Sequence, residues 1–181
     1  MRAPEDGNRS AYDRAKRYGR IAAAALVPAA NWAADRAAKL LALRYLKGRP
    51  PIEFLDRLLI LGYAENNGAF LGMGGDWPPA VKIAILVILP LVACISGVVY
   101  ALRPSVRPSV TLCIFTIVGG GLGNLADRIL YDFRVIDFMN FGIGPFRTGV
   151  LNVADISVTF GAIALVLVEN YRPSNARFAS S

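Results

Sequence analysis

The chain is predicted to be a membrane α-helical protein, with four transmembrane helices, a small extracytoplasmic β-rich platform and an interfacial amphipathic helix. Three observations predict this. Hydrophobic residues make up 55% of the 181 residues and charged residues only 18%, where soluble domains carry about a quarter charged residues; the mean hydropathy is +0.44. Long apolar runs recur, and the clearest, Ile83 to Leu102, holds no charge at all. Three carboxylates, Asp127, Asp137 and Asp155, sit against hydrophobic sequence, the first and last at the edge of an apolar run, and a charge near a bilayer core costs about 2.5–3.5 kcal/mol.

Residues 1–17 form a basic tail with Arg2, Arg9, Arg14, Lys16 and Arg17. It is too long and mixed for a signal-peptide n-region, and no small-residue cleavage site follows the apolar stretch that begins at Ile21. The membrane domain is expected over residues 18–170. Its first span runs from about Tyr18 to Ala34, so Asp35 falls near the far interface. The stretch Glu53 to Leu61 alternates apolar Leu55, Leu58 and Leu59 with Glu53, Asp56 and Arg57, and predicts the helix in the interface plane. Asn67-Gly68 is a turn signal. Trp77 and Lys82 anchor the start of the second span, whose Pro90 a membrane helix tolerates. The third span covers about Pro108 to Ala126. Arg134 to Phe141, rich in Val, Ile, Phe and Met, reads as an extended segment, broken by Gly142, Gly144 and Pro145. The fourth span runs from about Asn152 to Val168, and residues 171–181 form a second tail.

Four spans put both termini on one side. The tails and the Arg103–Arg107 loop concentrate their Lys and Arg close to the helix ends, which orients both termini to the cytoplasm. The carboxylates then lie at the extracytoplasmic face. The net charge of +7 does not point to nucleic acid, because the basic residues are scattered between apolar runs. Cys94 and Cys113 lie inside apolar runs without metal spacing, and read as small buried hydrophobes. His is absent, which removes Ser-His and Cys-His dyads and the commonest zinc ligand. No metal or cofactor is implied, and Asp and Glu are the natural acid–base groups. Gly119, Gly120, Gly121 and Gly123 follow no strand and precede no Walker lysine, so they are read as close helix packing.

Asn124 and Asn152 stand three residues before Asp127 and Asp155, on the same helical face. Taken singly, each carboxylate has a structural explanation. Asp155 can cap the fourth span, Asp127 can pair with Arg128 or another arginine, and Asp137 can be a charge on an edge strand. Taken jointly, they allow two carboxylates to share a proton, one accepting from water while the other donates to a carbonyl. The residues leave open which two of the three form that pair. They also admit a small polytopic transporter or proton-relay subunit, whose sites lie nearer the midplane.

The sequence resembles the lipoprotein signal peptidases, or signal peptidase II, a family of bacterial membrane aspartyl proteases. The resemblance covers nearly the whole chain after the basic tail. It is carried by Asp35 and Lys39, Asn66-Asn67-Gly68-Ala69-Phe70, Gly120 to Arg128, Val135-Ile136-Asp137-Phe138 and Asn152-Val153-Ala154-Asp155. It implies a catalytic dyad of Asp137 and Asp155, with Asn66, Gly68, Asn124, Asp127, Arg128 and Asn152 supporting it or touching substrate, and Asp35 and Lys39 bracing the site. It further implies prolipoprotein substrates bearing a diacylglyceryl cysteine, cut just before that cysteine, and a monomer among the lipids of the bacterial inner membrane. Two positions depart from the family pattern: Phe70 comes one residue early, with Leu71 in its place, and Leu151 stands where Phe is usual. Both keep an apolar surface.

Overall fold

The computed structural model describes residues 4–69 and 72–171. The expected tail beyond Tyr171 and the positions Phe70 and Leu71 lie outside those residues. Helix α1 spans Pro4–Tyr45. Alanine, the best helix former, dominates its middle. It continues without a break through the segment expected as a basic tail, so that segment is helical from Pro4 onward. At 42 residues and 1.5 Å per residue it is about 63 Å long, twice the hydrocarbon thickness.

Three further helices are long and apolar enough to cross a membrane: α2 (Pro79–Ala101), α3 (Pro108–Leu130) and α4 (Val153–Asn170). Within α2, Pro90 has no N–H to give to the carbonyl one turn earlier. The helix widens to a π-type turn over Ile83–Ile88, where the Leu89 N–H reaches back to Ala84 O. One face of α2 presents Ile85, Ile88, Leu89, Val92, Ile95 and Val99 outward, an apolar patch suited to lipid.

Helix α3 is the axis of the bundle. Val110, Ile114, Phe115 and Val118 are buried along it and pack with Cys94 and Ala101 of α2. Its glycines let neighbours come close. A Cβ at Gly119 would meet Pro28 Cα of α1 at 2.9 Å, and one at Gly120 would meet Ala154 O of α4 at 2.5 Å. This supports the packing role read for the glycine run.

The remaining chain forms a four-stranded antiparallel sheet in sequence order: β1 (Ile52–Phe54), β2 (Leu59–Asn66), β3 (Val135–Ile143) and β4 (Phe146–Arg147). The extended segment expected near Asp137 is β3. The interfacial helix expected over Glu53–Leu61 is not formed. That stretch is the β1–β2 hairpin, in register Ile52↔Leu61 and Phe54↔Leu59. Two physical reasons favour the strand form. Pro50 and Pro51 lead the chain in extended, and a nine-residue helix is too short to offset its nucleation cost, whereas β2 gains a full ladder with β3. Leu55, Asp56 and Arg57 turn the corner with φ of 51°, 53° and 67°. The Glu53–Arg57 pair at 3.2 Å survives in the hairpin.

Two short connections fix the sheet to the helices. Residues 131–134 join α3 to β3 through positive φ at Asp132 and Phe133. On the other side of β3, Leu151 bonds in both directions, with its N–H to Met139 O at 2.7 Å and its O accepting from Phe138 N at 2.9 Å. The first turn of α4 is thereby tied to the middle of β3.

Replacing Gly120 by Val forces a side chain into the α4 backbone. Overpacking costs about 1–3 kcal/mol, so the variant is expected to show a lower thermal midpoint in detergent and less folded protein. An unchanged midpoint contradicts the close packing described.

Candidate active site

Asp155 opens α4, and its cap is reciprocal. Asn152 Oδ1 accepts from Asp155 N at 2.9 Å, and Asp155 Oδ2 accepts from Asn152 N at 3.1 Å. Capping is therefore real, but it occupies only one carboxylate oxygen. Asp155 Oδ1 accepts from Asn124 Nδ2 of α3 at 2.8 Å. The positive end of the α4 dipole favours a negative charge here.

Asp137 comes from β3 and is not a solvated edge residue: it is 3% exposed and β3 is flanked on both sides. Its Oδ1 accepts from Asn152 Nδ2 at 2.6 Å, and its Oδ2 from Asn66 Nδ2 at 3.2 Å. Asn152 Nδ2 also donates to Asn124 Oδ1 at 2.9 Å. The two carboxylates are thus linked through the side chains of Asn152 and Asn124. Asp137, Asp155, Asn66, Asn124 and Arg128 line one cavity of about 120 Å³. Burial pushes the Asp137 carboxyl up to about 6, the charge of Asp155 adds to this, and the Asn66 and Asn152 donors oppose it.

Asp127 does not pair with Arg128. Its Oδ1 lies 3.0 Å from Arg36 Nη1 and its Oδ2 lies 2.8 Å from Lys39 Nζ. Lys39 Nζ is also 2.7 Å from Asp35 Oδ2 and donates to Asn124 Oδ1 at 3.1 Å. Asp127 Oδ2 accepts from Ile136 N at 3.2 Å, and Asp35 Oδ1 from Ala154 N at 2.9 Å. Both carboxylates therefore reach the backbone beside the cavity residues, and Lys39 reaches Asn124 directly. Asp35, Lys39 and Asp127 are almost completely buried. Arg128 turns the other way, with Nη2 donating to Gly68 O at 3.0 Å, while Gly68 N donates to Asn66 Oδ1 at 3.0 Å. A Cβ at Gly68 would meet Met73 O at 2.3 Å, so the turn signal marks a place where only glycine fits.

Sequence reasoning missed Arg36, which holds Asp127 and donates to Tyr131 Oη. Its one legible signal was its position beside Asp35, just after the apolar run from Ile21 to Ala34. No metal-holding cluster of His, Cys, Asp or Glu occurs among the described residues.

Two measurements test this geometry. Lys39→Met leaves the buried Asp35 carboxylate without a cation and Asp127 with Arg36 alone, and removing one partner of a buried pair costs about 3–5 kcal/mol. Little folded protein is expected, with partial recovery when Asp127→Asn is added; full stability of the single variant contradicts the ion cluster. A raised pKa means the folded state binds the extra proton between about pH 4 and pH 6, so Asp137 costs stability as pH rises through that window. Relative to wild type, Asp137→Asn should gain about 3 kcal/mol in stability between pH 4 and pH 7. A pH-independent difference contradicts the assignment.

A family model described as signal peptidase (SPase) II matches residues 27–170. The chain is 33% identical over 156 residues to a lipoprotein signal peptidase of Bifidobacterium longum, covering 82% of this chain and 79% of that protein. It is 34% identical over 133 residues to one from Halothermothrix orenii, covering 74% and 85%. A bacterial membrane enzyme solved by the in meso method superposes with a TM-score of 0.72 at 24% identity, over 86% of this chain and 92% of that one, which shows a common fold. From the matched span and from these relatives, the chain belongs to the signal peptidase II family.

Proposed function

We propose that this protein is a membrane aspartyl endopeptidase that removes the signal peptide from diacylglyceryl-modified prolipoproteins, cutting just before the lipidated cysteine. Family membership supports removal of lipoprotein signal peptides. One observation carries the chemistry: Asp137 and Asp155, from different elements, line the same small cavity and are linked through Asn152 and Asn124.

The two carboxyls have unlike surroundings, and this separates their roles. Asp137 is buried, beside a second carboxylate, with its proton held up to about pH 6. It is the acid that hydrogen-bonds the scissile carbonyl. Asp155 sits at a helix N-terminus with a donor on each oxygen, and as the carboxylate it takes a proton from water. The hydroxide so formed attacks the carbonyl carbon, and the departing amine is protonated from the dyad. Asn124 and Asn152 hold both acids, so little reorganisation accompanies the step. Gly68 and Asn66, fastened by Arg128, form one wall. Lys39, Asp35 and Asp127 brace the backbone behind the dyad.

In this reading α1 supplies the fourth span, and the sheet lies at the extracytoplasmic surface of the bacterial inner membrane. Both termini are cytoplasmic. The diacylglyceryl chains stay in lipid between helices while the peptide crosses the cavity, a positioning contribution to rate. The enzyme works as a monomer. A transporter or proton relay fits less well, because all the cavity carboxylates sit at one end of the bundle, where α4 begins and β3 packs.

Asp137→Asn and Asp155→Asn are each expected to lower cleavage of a diacylglyceryl precursor by at least about 10³-fold, while the purified proteins keep wild-type yield. Normal cleavage by either variant ends the assignment. Asp127→Asn is expected to reduce yield and activity together. Cleavage by wild type in detergent, with no gradient present, separates the peptidase from a transporter.

A further inference from the structure

We propose that the end of the bundle away from the carboxylates holds a site for the headgroup of an anionic phospholipid. A cavity of about 1180 Å³ opens there between the N-terminal part of α1 and the loop that joins α2 to α3. It is larger than the roughly 300–1,000 Å³ of ordinary ligand pockets. Its lining includes Arg14, Lys16, Arg17, Arg20 and Arg107, and no acidic residue is among the described residues that line it.

Two of these cations are committed to the protein. Arg20 Nη1 donates to Ala101 O at 3.1 Å and to Thr111 Oγ1 at 2.9 Å, and its Nη2 reaches Val106 O. It ties α1 to the α2–α3 loop and fixes the floor of the cavity. Arg107 Nη2 lies 3.1 Å from Glu169 Oε2 at the end of α4. Arg14, Lys16 and Arg17 are exposed on α1. Lys16 lies over the ring of Tyr12, 4.3 Å from its centroid.

The depth of the site suits a headgroup. Arg17 lies 22 residues before Lys39 on the same helix, about 33 Å at 1.5 Å per residue, close to the hydrocarbon thickness of a bilayer. The basic residues therefore reach the opposite membrane surface from the carboxylates. The same cavity is also lined by the apolar residues Ala23, Leu102 and Leu112, and Leu112 is 53% exposed. A phosphate under the α1 cations would leave its acyl chains against these apolar positions. Basic pockets between helices at the cytoplasmic surface bind anionic headgroups in this way. Soluble phosphate shares the charge but has no use for the apolar wall, so the lipid is the occupant.

The test is native mass spectrometry of the full chain released from mixed micelles holding equimolar phosphatidylglycerol and phosphatidylcholine. Wild type is expected to retain phosphatidylglycerol preferentially, and the triple variant Arg14→Gln, Lys16→Gln, Arg17→Gln is expected to lose that preference by about tenfold. Gly19 lines the cavity and faces open space, so Gly19→Phe fills it with every charge in place and should lose the preference as well. The pair Arg49→Gln, Arg57→Gln at the other end should keep it. Precursor cleavage by each variant in zwitterionic detergent reports folding independently of the lipid result. Equal retention of both lipids by wild type overturns the site. So does full retention by Gly19→Phe, which would mean diffuse surface attraction, or displacement of the lipid by inorganic phosphate, which would mean a soluble anion.

Discussion

Lys39 Nζ holds the polar end of the bundle together. It lies 2.7 Å from Asp35, 2.8 Å from Asp127 and 3.1 Å from Asn124 Oδ1. Through these groups one ammonium reaches four elements: α1 carries Asp35, α3 carries Asp127 and Asn124, Asp35 accepts from the first turn of α4, and Asp127 accepts from the start of β3. Each buried ion costs several kcal/mol to desolvate, and the set is worth having only when every charge is matched. It is matched, because Arg36 adds the second positive charge beside Asp127. The cluster therefore works as a register pin. It sets how α3, α4 and the sheet meet, and leaves Asn124 aimed at the cavity.

The placing of Asp137 and Asp155 on one cavity follows from that pin together with two backbone devices. Gly123 leaves room for Asp35, whose Oδ2 lies 2.8 Å from where a Cβ would stand. The Leu151–Met139 bridge then sets Asn152 one residue beyond the strand partner of Met139. That places one amide side chain between Asp137 and Asn124. Two carboxyls that belong to a strand and a helix, 18 residues apart in sequence, reach one cavity because short segments on both sides of β3 are hydrogen-bonded to it.

Much of this was readable in the chain. The apolar runs marked the three clearest spans, and the β-branched and aromatic residues around Asp137 marked a strand. An Asn three residues before an Asp turned out to mean two different things. At Asn152 and Asp155 it is a capping box turned toward the cavity; at Asn124 and Asp127 it divides, Asn124 facing the cavity and Asp127 facing Lys39. Helical spacing cannot separate those cases, since the direction of each side chain depends on which helix packs alongside. The Glu53–Leu61 hairpin was misread for a related reason. The deciding partner of its second strand, β3, lies some 75 residues later in the chain, beyond the reach of local periodicity. The length of α1 was also hidden, because its polar first turns carry no apolar stripe.

The coupling of Asp137 and Asp155 is tested most directly by infrared difference spectroscopy of the carboxyl groups across pH. One protonated carboxyl band should titrate with a midpoint near 6, vanish in Asp137→Asn, and shift to a lower midpoint in Asp155→Asn, where the neighbouring charge is gone. A band that is insensitive to Asp155→Asn, or two carboxyls that titrate independently in the ordinary range, would contradict electrostatic coupling at this site.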